Sequence, residues 1–168
     1  MAKKIAIVVD VVLVFSAVTI VAVVFHRFVY SPLTNDGPPE YRVGEVFGQP
    51  NVIDYRLAER TLVLFINSTC RFCTDSMPFY RSLGLASDDP QTVRVVAVSF
   101  EDVKTSREYL ASYDVYVDQV KKIERGEAPK LLVTPTVLVL DQTGIVRGSW
   151  LGLLTEEREL EVSALLGY

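Results

Sequence analysis

The sequence is poor in the residues that hold metals and cross-links. Two cysteines and one histidine in 168 residues exclude a small domain stapled by disulfides. They equally exclude any zinc site built from four cysteines, three cysteines and a histidine, or two of each. Positive charge is scarce as well. The net charge is −4, and residues 31–168 carry 14 basic against 20 acidic side chains, so neither nucleic acid nor an anionic membrane surface is favoured as a partner. Internal repeats are missing. What is abundant is apolar: 49% of the chain, with a mean hydropathy of +0.26. That excess is local, because residues 1–30 hold 23 apolar side chains while the other 138 residues hold 60, an ordinary share for one globular domain. Intrinsic disorder, collagen-like repeats and a multi-span membrane protein are thereby excluded.

From Ile5 to Phe25 there are 21 residues, of which only Asp10, Ser16 and Thr19 are not apolar. At helical rise such a run covers roughly 30 Å, enough to cross a bilayer. Lys3 and Lys4 precede it, and His26 and Arg27 follow. The positive-inside bias therefore places the amino terminus in the cytoplasm and the remainder outside it. A cleaved signal peptide is the rival reading, but the run exceeds the roughly 7 to 15 apolar residues of such peptides and no small-x-small cleavage site follows it. Residues 1–30 are accordingly expected to form an uncleaved, single-pass transmembrane anchor. Asp10 lies near the N-terminal end of the run, within reach of the interface or a lysine. Residues 31–40, polar and rich in proline, read as a semi-rigid linker to a domain over 41–168.

Within that domain, Thr61 to Asn67 and Val93 to Phe100 are nearly continuous β-branched and aliphatic runs, the pattern of strands covered on both faces. Arg71 to Ala86 lacks alternation and suits a helix. Asp102 to Tyr113 is a second helix, with Asp102 placed to cap it and Val103, Tyr109 and Leu110 available for its inner face. Thr136 to Leu140, the turn Asp141 to Gly144, and Ile145 to Trp150 predict a hairpin. Thr155 is placed to cap a last helix whose first turn holds Glu156 and Glu157. The order is strand, helix, strand, helix, hairpin, helix, which predicts an α/β fold with a sheet of mixed direction. Trp150 reads as packing, and Lys121 to Lys130 as a connection or partner-facing insertion.

Cys70-Arg71-Phe72-Cys73 follows a buried strand by three residues and opens a helix. A Cys-x-x-Cys spacing alone fits half a zinc site, a structural pair or a redox dithiol. Zinc needs further ligands and no other cysteine exists, while Thr74 rules out the Cys-x-x-Cys-His attachment of a c-type haem. The dithiol remains. At a helix N-terminus the unpaired amides and the positive end of the dipole stabilise a thiolate. Cys70 should therefore be the more acidic thiol and Cys73, one turn in, the shielded one. Arg71 would tune Cys70 in the same direction, and Phe72 should be exposed as a docking contact. A proline at 135 must sit at the first residue of its strand, where trans is the ordinary state.

These residues resemble the thioredoxin superfamily, and within it the membrane-anchored, extracytoplasmic thiol:disulfide oxidoreductases of the TlpA type. Phe65 to Cys70 stands where that family runs an aromatic-rich strand end into its first active-site cysteine. Pro78 lies five residues after Cys73, where the family's helix carries a proline. Thr134-Pro135-Thr136 is similar to its cis-proline loop, and Val137 to Val146 to its closing hairpin. The resemblance covers residues 41–166. It implies a thioredoxin-like mixed sheet flanked by helices and a cis Thr134-Pro135 bond. Thr134 and Pro135 then lie beside the dithiol as a substrate-binding edge. It also implies protein thiols and disulfides of the exported compartment as substrates, and a membrane-embedded electron donor or acceptor as partner. No cofactor beyond a redox-active Cys70-Cys73 disulfide, and no metal, is expected.

The chain departs from the family at informative places. Thr69 replaces the tryptophan before the first cysteine, and Arg71-Phe72 replaces the usual proline-containing dipeptide. Leu64 stands where thioredoxins bury an acid, and Ser76 where related reductases carry a glutamate, which leaves the proton acceptor for Cys73 open; Glu101, at the end of a parallel strand, is the geometric guess. Two alternatives share the scaffold. A thiol peroxidase calls for Thr-x-x-Cys, where Asn67 stands instead, and a copper-handling module calls for a histidine ligand within the domain, where none follows His26.

Overall fold

The computed structural model describes residues 2–26, 38–86 and 91–168. The chain divides into two compact units, 1–37 and 38–168. In the first, Ala2–Phe25 forms one 24-residue helix, α1. Its side chains are described from Val12 onward and are exposed. Over the described residues no helix is long and apolar enough to cross a membrane. Residues 31–37 of the expected linker lie outside the described residues.

The two aliphatic runs of the second unit become neighbouring strands at the centre of a five-stranded sheet. The strands are β1 (Arg60–Phe65), β2 (Val93–Ser99), β3 (Gln119–Lys122), β4 (Thr136–Asp141) and β5 (Val146–Leu151), in the spatial order β3-β2-β1-β4-β5. β1, β2 and β3 run parallel; β4 is antiparallel to both β1 and β5. Because side chains alternate faces along a strand, β1 feeds two separate cores. Leu62 and Leu64 join Val95, Ala97, Val137 and Val139 on one face. Val63 and Phe65 join Val96, Val98, Leu138 and Leu140 on the other. All of these are at most 3% exposed, which is why both runs read as uninterrupted apolar sequence rather than as alternation.

The first face is covered by three helices: α2 (Arg71–Ala86) through Cys73, Met77, Tyr80 and Leu83, α3 (Val103–Ala111) through Leu110, and α4 (Glu156–Leu166) through Val162 and Leu166. The second face is covered without a long helix, by Tyr41, Phe47, Ile53 and Tyr55 from the N-terminal segment and by Ile123, Ala128 and Leu131. The segment that reads from sequence as a connection is thus structural at both ends. Val120 packs from β3 and Ile123 and Leu131 enter the second core, while Arg125 lies over the Phe100 ring at 5.9 Å. A four-residue strand ending in two lysines carries too little periodicity to be read alone.

Two local expectations change. Asp102 caps α3, accepting from the amides of Lys104 and Thr105, but Val103 faces solvent and Ser106 takes the inner position instead. Thr155 occupies the N-cap position of α4 in extended conformation without making a side-chain cap bond; the three glutamates of the first turn supply the charge that favours that end. Trp150 packs in the first core and donates its indole N–H to Glu161 at 3.0 Å. At the hairpin turn, Gly144 has φ +80° and a Cβ there would lie 2.5 Å from the Tyr55 ring, so both conformation and space require glycine.

Candidate active site

Past the end of β1, a tight turn over residues 67–70 places Cys70, five residues beyond Phe65, at the head of α2. The Asn67 carbonyl accepts the Cys70 amide at 3.1 Å, and the Asn67 side-chain oxygen accepts from the Thr69 amide and hydroxyl at 2.9 and 2.6 Å. From two residues beyond the end of β2, Glu101 clamps the same turn: its carboxylate accepts the Ser68 amide at 2.7 Å and the Ser68 hydroxyl at 2.5 Å. Glu101 is therefore committed to holding the loop. Strand position alone points this carboxylate toward Cys73 as proton acceptor; instead it faces Ser68.

The two thiols differ as their positions dictate. Both are free, Cys70 half-buried and Cys73 buried. Burial works against the Cys70 thiolate. Hydrogen bonds from the Thr134 side chain, the Cys73 amide and thiol, and the Phe72 amide outweigh it, and together they hold the Cys70 thiol below its ordinary range. Those amides are the orphan donors of the first turn of α2. Burial first, and its interaction with Cys70 after it, push the Cys73 thiol up to about 12 against the lowering effects of the Asn67 amide and the Thr134 side chain. An accessible acidic thiol beside a shielded basic one is the division of labour a nucleophile and a resolving group require.

The Thr134–Pro135 bond is cis, and the loop lies against the dithiol: the Cys70 thiol donates to the Thr134 carbonyl at 3.4 Å. The neighbouring Pro135 carbonyl is taken by the Gly152 amide at 2.8 Å, which ties the end of the hairpin to this loop. Phe72 is 57% exposed, as are, to a similar degree, Leu132 and Leu153 on the two tied loops. Arg71 is turned into solvent and meets Asp75 at 3.8 Å; the groups that lower the Cys70 thiol are Thr134, Phe72 and Cys73 rather than this guanidinium. Pro78 lies inside α2, beyond its first turn, and leaves the amides around Cys70 untouched.

Hydroxyl groups to which the sequence assigned no part in the site line its inner side. Ser76 is buried and donates to the Phe72 carbonyl at 2.8 Å. Thr74 and Tyr109 share a hydrogen bond of 3.0 Å between α2 and α3. Tyr80 is buried beside Cys73 in the first core. The signal available was helical spacing, since 73, 76 and 80 fall on one face. Among the described residues no group of three or more histidine, cysteine, aspartate or glutamate side chains is arranged to hold a metal ion.

No family model matches the chain. It is 28% identical over 135 residues to the methylamine utilization protein MauD of Paracoccus denitrificans, an alignment covering 79% of this chain; the chain spans 64% of that relative's length. Among solved structures it superposes on a Chlorobium tepidum protein assigned as thiol:disulfide interchange protein DsbE. The TM-score is 0.60 at 20% identity, over 76% of this chain and 100% of the other. The thioredoxin domain of a thiol-disulfide oxidoreductase from Bacteroides vulgatus matches at 0.59 and 14%, again over 76% and 100%. A thiol-disulfide isomerase from Corynebacterium glutamicum matches at 0.52 and 18%, over 79% and 96%. These structural likenesses establish the fold.

Proposed function

Taking the chain as a thioredoxin-superfamily protein, we propose that it is a thiol:disulfide oxidoreductase in which Cys70 is the nucleophile and Cys73 the resolving thiol. The observation that carries the reading is the asymmetry of the pair at the head of α2, with an accessible thiol held low and a buried one pushed up to about 12. The Cys70 thiolate attacks a substrate disulfide, forming a bond to one substrate sulfur and releasing the other as a thiolate. Cys73 then attacks Cys70, closing the Cys70-Cys73 disulfide and releasing the second substrate thiol; the reverse sequence oxidises a substrate dithiol. No cofactor enters either direction. Thr134 and Pro135 form the edge on which a substrate strand aligns, and Phe72 offers an apolar contact beside it.

The substrates in this reading are cysteine-containing proteins of an exported compartment, served by a membrane-embedded electron donor or acceptor, with the domain tethered by residues 1–30 and the amino terminus cytoplasmic. Support for the tether comes from the full Ile5 to Phe25 run. It comes also from the two hydroxyls described within it: Ser16 donates to the Leu13 carbonyl at 2.9 Å and Thr19 to the Phe15 carbonyl at 2.8 Å, so both are satisfied inside their own helix.

The test is insulin-disulfide reduction by the full chain in detergent, with Cys70→Ser and Cys73→Ser alongside. Wild type should reduce insulin with dithiothreitol as electron source, both variants should not, and Cys73→Ser should accumulate a mixed disulfide. Wild type as inert as both variants would overturn the proposal.

A further inference from the structure

Resolution requires a proton to leave Cys73, the less acidic thiol, and among the described residues the groups that act on it are Asn67, Cys70 and Thr134, none of them a carboxylate. Leu64 and Ser76 stand at the two positions that would carry one, and Glu101 is spent on Ser68. What the site does hold is a buried phenol with nothing to do. Tyr80 is 1% exposed, and its hydroxyl has no hydrogen-bond partner among the described residues. Such an orphan costs about 1–3 kcal/mol, and a native structure that keeps one calls for a reason. Tyr80 lies two turns after Cys73 on the same face of α2, and helical side chains lean back toward the N-terminus, which brings the phenol toward the dithiol. Charges on Cys73, Tyr109 and Cys70 all act on its ionisation. Ser76 lies near enough to the phenol to lower its value, but the Ser76 hydroxyl donates to the Phe72 carbonyl at 2.8 Å and the Tyr80 oxygen is left without a hydrogen bond of good geometry.

We infer that Tyr80 is the positioning residue for Cys73, keeping its hydroxyl uncommitted in the dithiol state so that it can donate to the thiolate that develops on Cys73 during resolution. The inference rests on the oxidoreductase reading. The step balances without a further reagent: Cys73 sulfur bonds to Cys70 sulfur, the Cys70–substrate bond breaks, and its electron pair leaves with the substrate sulfur, which takes up the proton Cys73 lost. Tyr80 keeps its own proton throughout, consistent with burial raising the phenol well above its ordinary value. The titratable groups that act on it are Cys73 and Cys70 from α2 and Tyr109 from α3. The residues that β1 and β2 add to the same core are apolar: Leu62, Leu64, Val95 and Ala97.

Tyr80→Phe in the full chain removes the hydroxyl and keeps the ring. The mixed disulfide between Cys70 and glutathione is formed by rapid mixing of the reduced protein with oxidised glutathione, and its resolution is followed against pH. The variant should resolve about 10-fold more slowly at neutral pH, with its rate–pH midpoint moved upward. Cys70 alkylation should keep its rate and midpoint, and the melting temperature should equal or exceed that of wild type because an unsatisfied donor is gone. Resolution within twofold of wild type at every pH overturns the inference. Slower resolution accompanied by an equal loss of Cys70 alkylation, or by a lower melting temperature, also overturns it, since it marks a structural role. A wild-type protein that never closes its own disulfide removes the oxidoreductase reading itself, and the inference with it.

Discussion

At the residue scale the site depends on who donates to which sulfur. Cys70 is held below its ordinary range although burial opposes this, and Thr134 is first among the groups that achieve it. Replacing Thr134 by valine keeps the shape and the backbone carbonyl but deletes the side-chain donor. Iodoacetamide alkylation of Cys70 in Thr134→Val should therefore show a pH midpoint moved upward and a several-fold lower rate at pH 6, converging with wild type at high pH where both are thiolate. Cys73 has the opposite sign. Its native value of about 12 stands above the ordinary value of 9.0, so between these pH values the unfolded chain has released a proton that the native protein still holds. Stability of the reduced protein should then fall by up to about 1.4 kcal/mol per pH unit above pH 9. Urea titrations of wild type and Cys73→Ala between pH 8 and 10 check this: the slope should appear in the difference between the two, because the raised Tyr41, Tyr80 and Tyr109 phenols, whose ordinary value is 10.0, add the same fall to both proteins as pH 10 is approached.

At the scale of elements the dithiol is only as well placed as the β1–α2 turn that carries it, and one carboxylate from beyond β2 pins that turn. Glu101→Ala leaves the Ser68 amide and hydroxyl without their acceptor; the expected loss is about 1–3 kcal/mol in urea unfolding, with Cys70 alkylation altered at the same time. The same element shows what sequence can and cannot deliver. The aliphatic runs of β1 and β2, the Asp141 to Gly144 turn and the helix behind Cys70 were legible because burial on both faces, turn chemistry and capping are local patterns. The Ser68–Glu101 clamp was not, because it joins residues 33 positions apart and each alone reads as a surface polar group. β3 escaped for a different reason: its place is fixed by register with β2, while Gln119–Lys122 shows almost no apolar periodicity of its own. Tyr80 was not singled out by the sequence. Its spacing from Cys73 was in the sequence, but its unpaired hydroxyl is a property of the packed site.

At the scale of the whole molecule, the scarcity of cysteine becomes the central fact. With two thiols in the chain, both in one motif at one helix start, any internal disulfide must be Cys70-Cys73, so redox chemistry of the intact protein reports on this pair alone. The apolar surplus has an equally simple reading in the proposed tether: deleting residues 1–30 should move the protein from the membrane fraction to the soluble fraction without changing its thiol chemistry. The most direct test of the central claim is an equilibrium titration of the intact chain against reduced and oxidised glutathione, with free thiols counted by alkylation and mass. The expected result is one reversible two-electron couple in which both alkylatable thiols disappear together, and which is absent from Cys70→Ser and Cys73→Ser. A pair that stays reduced across the whole glutathione range, or that is lost irreversibly or one thiol at a time, would contradict the account.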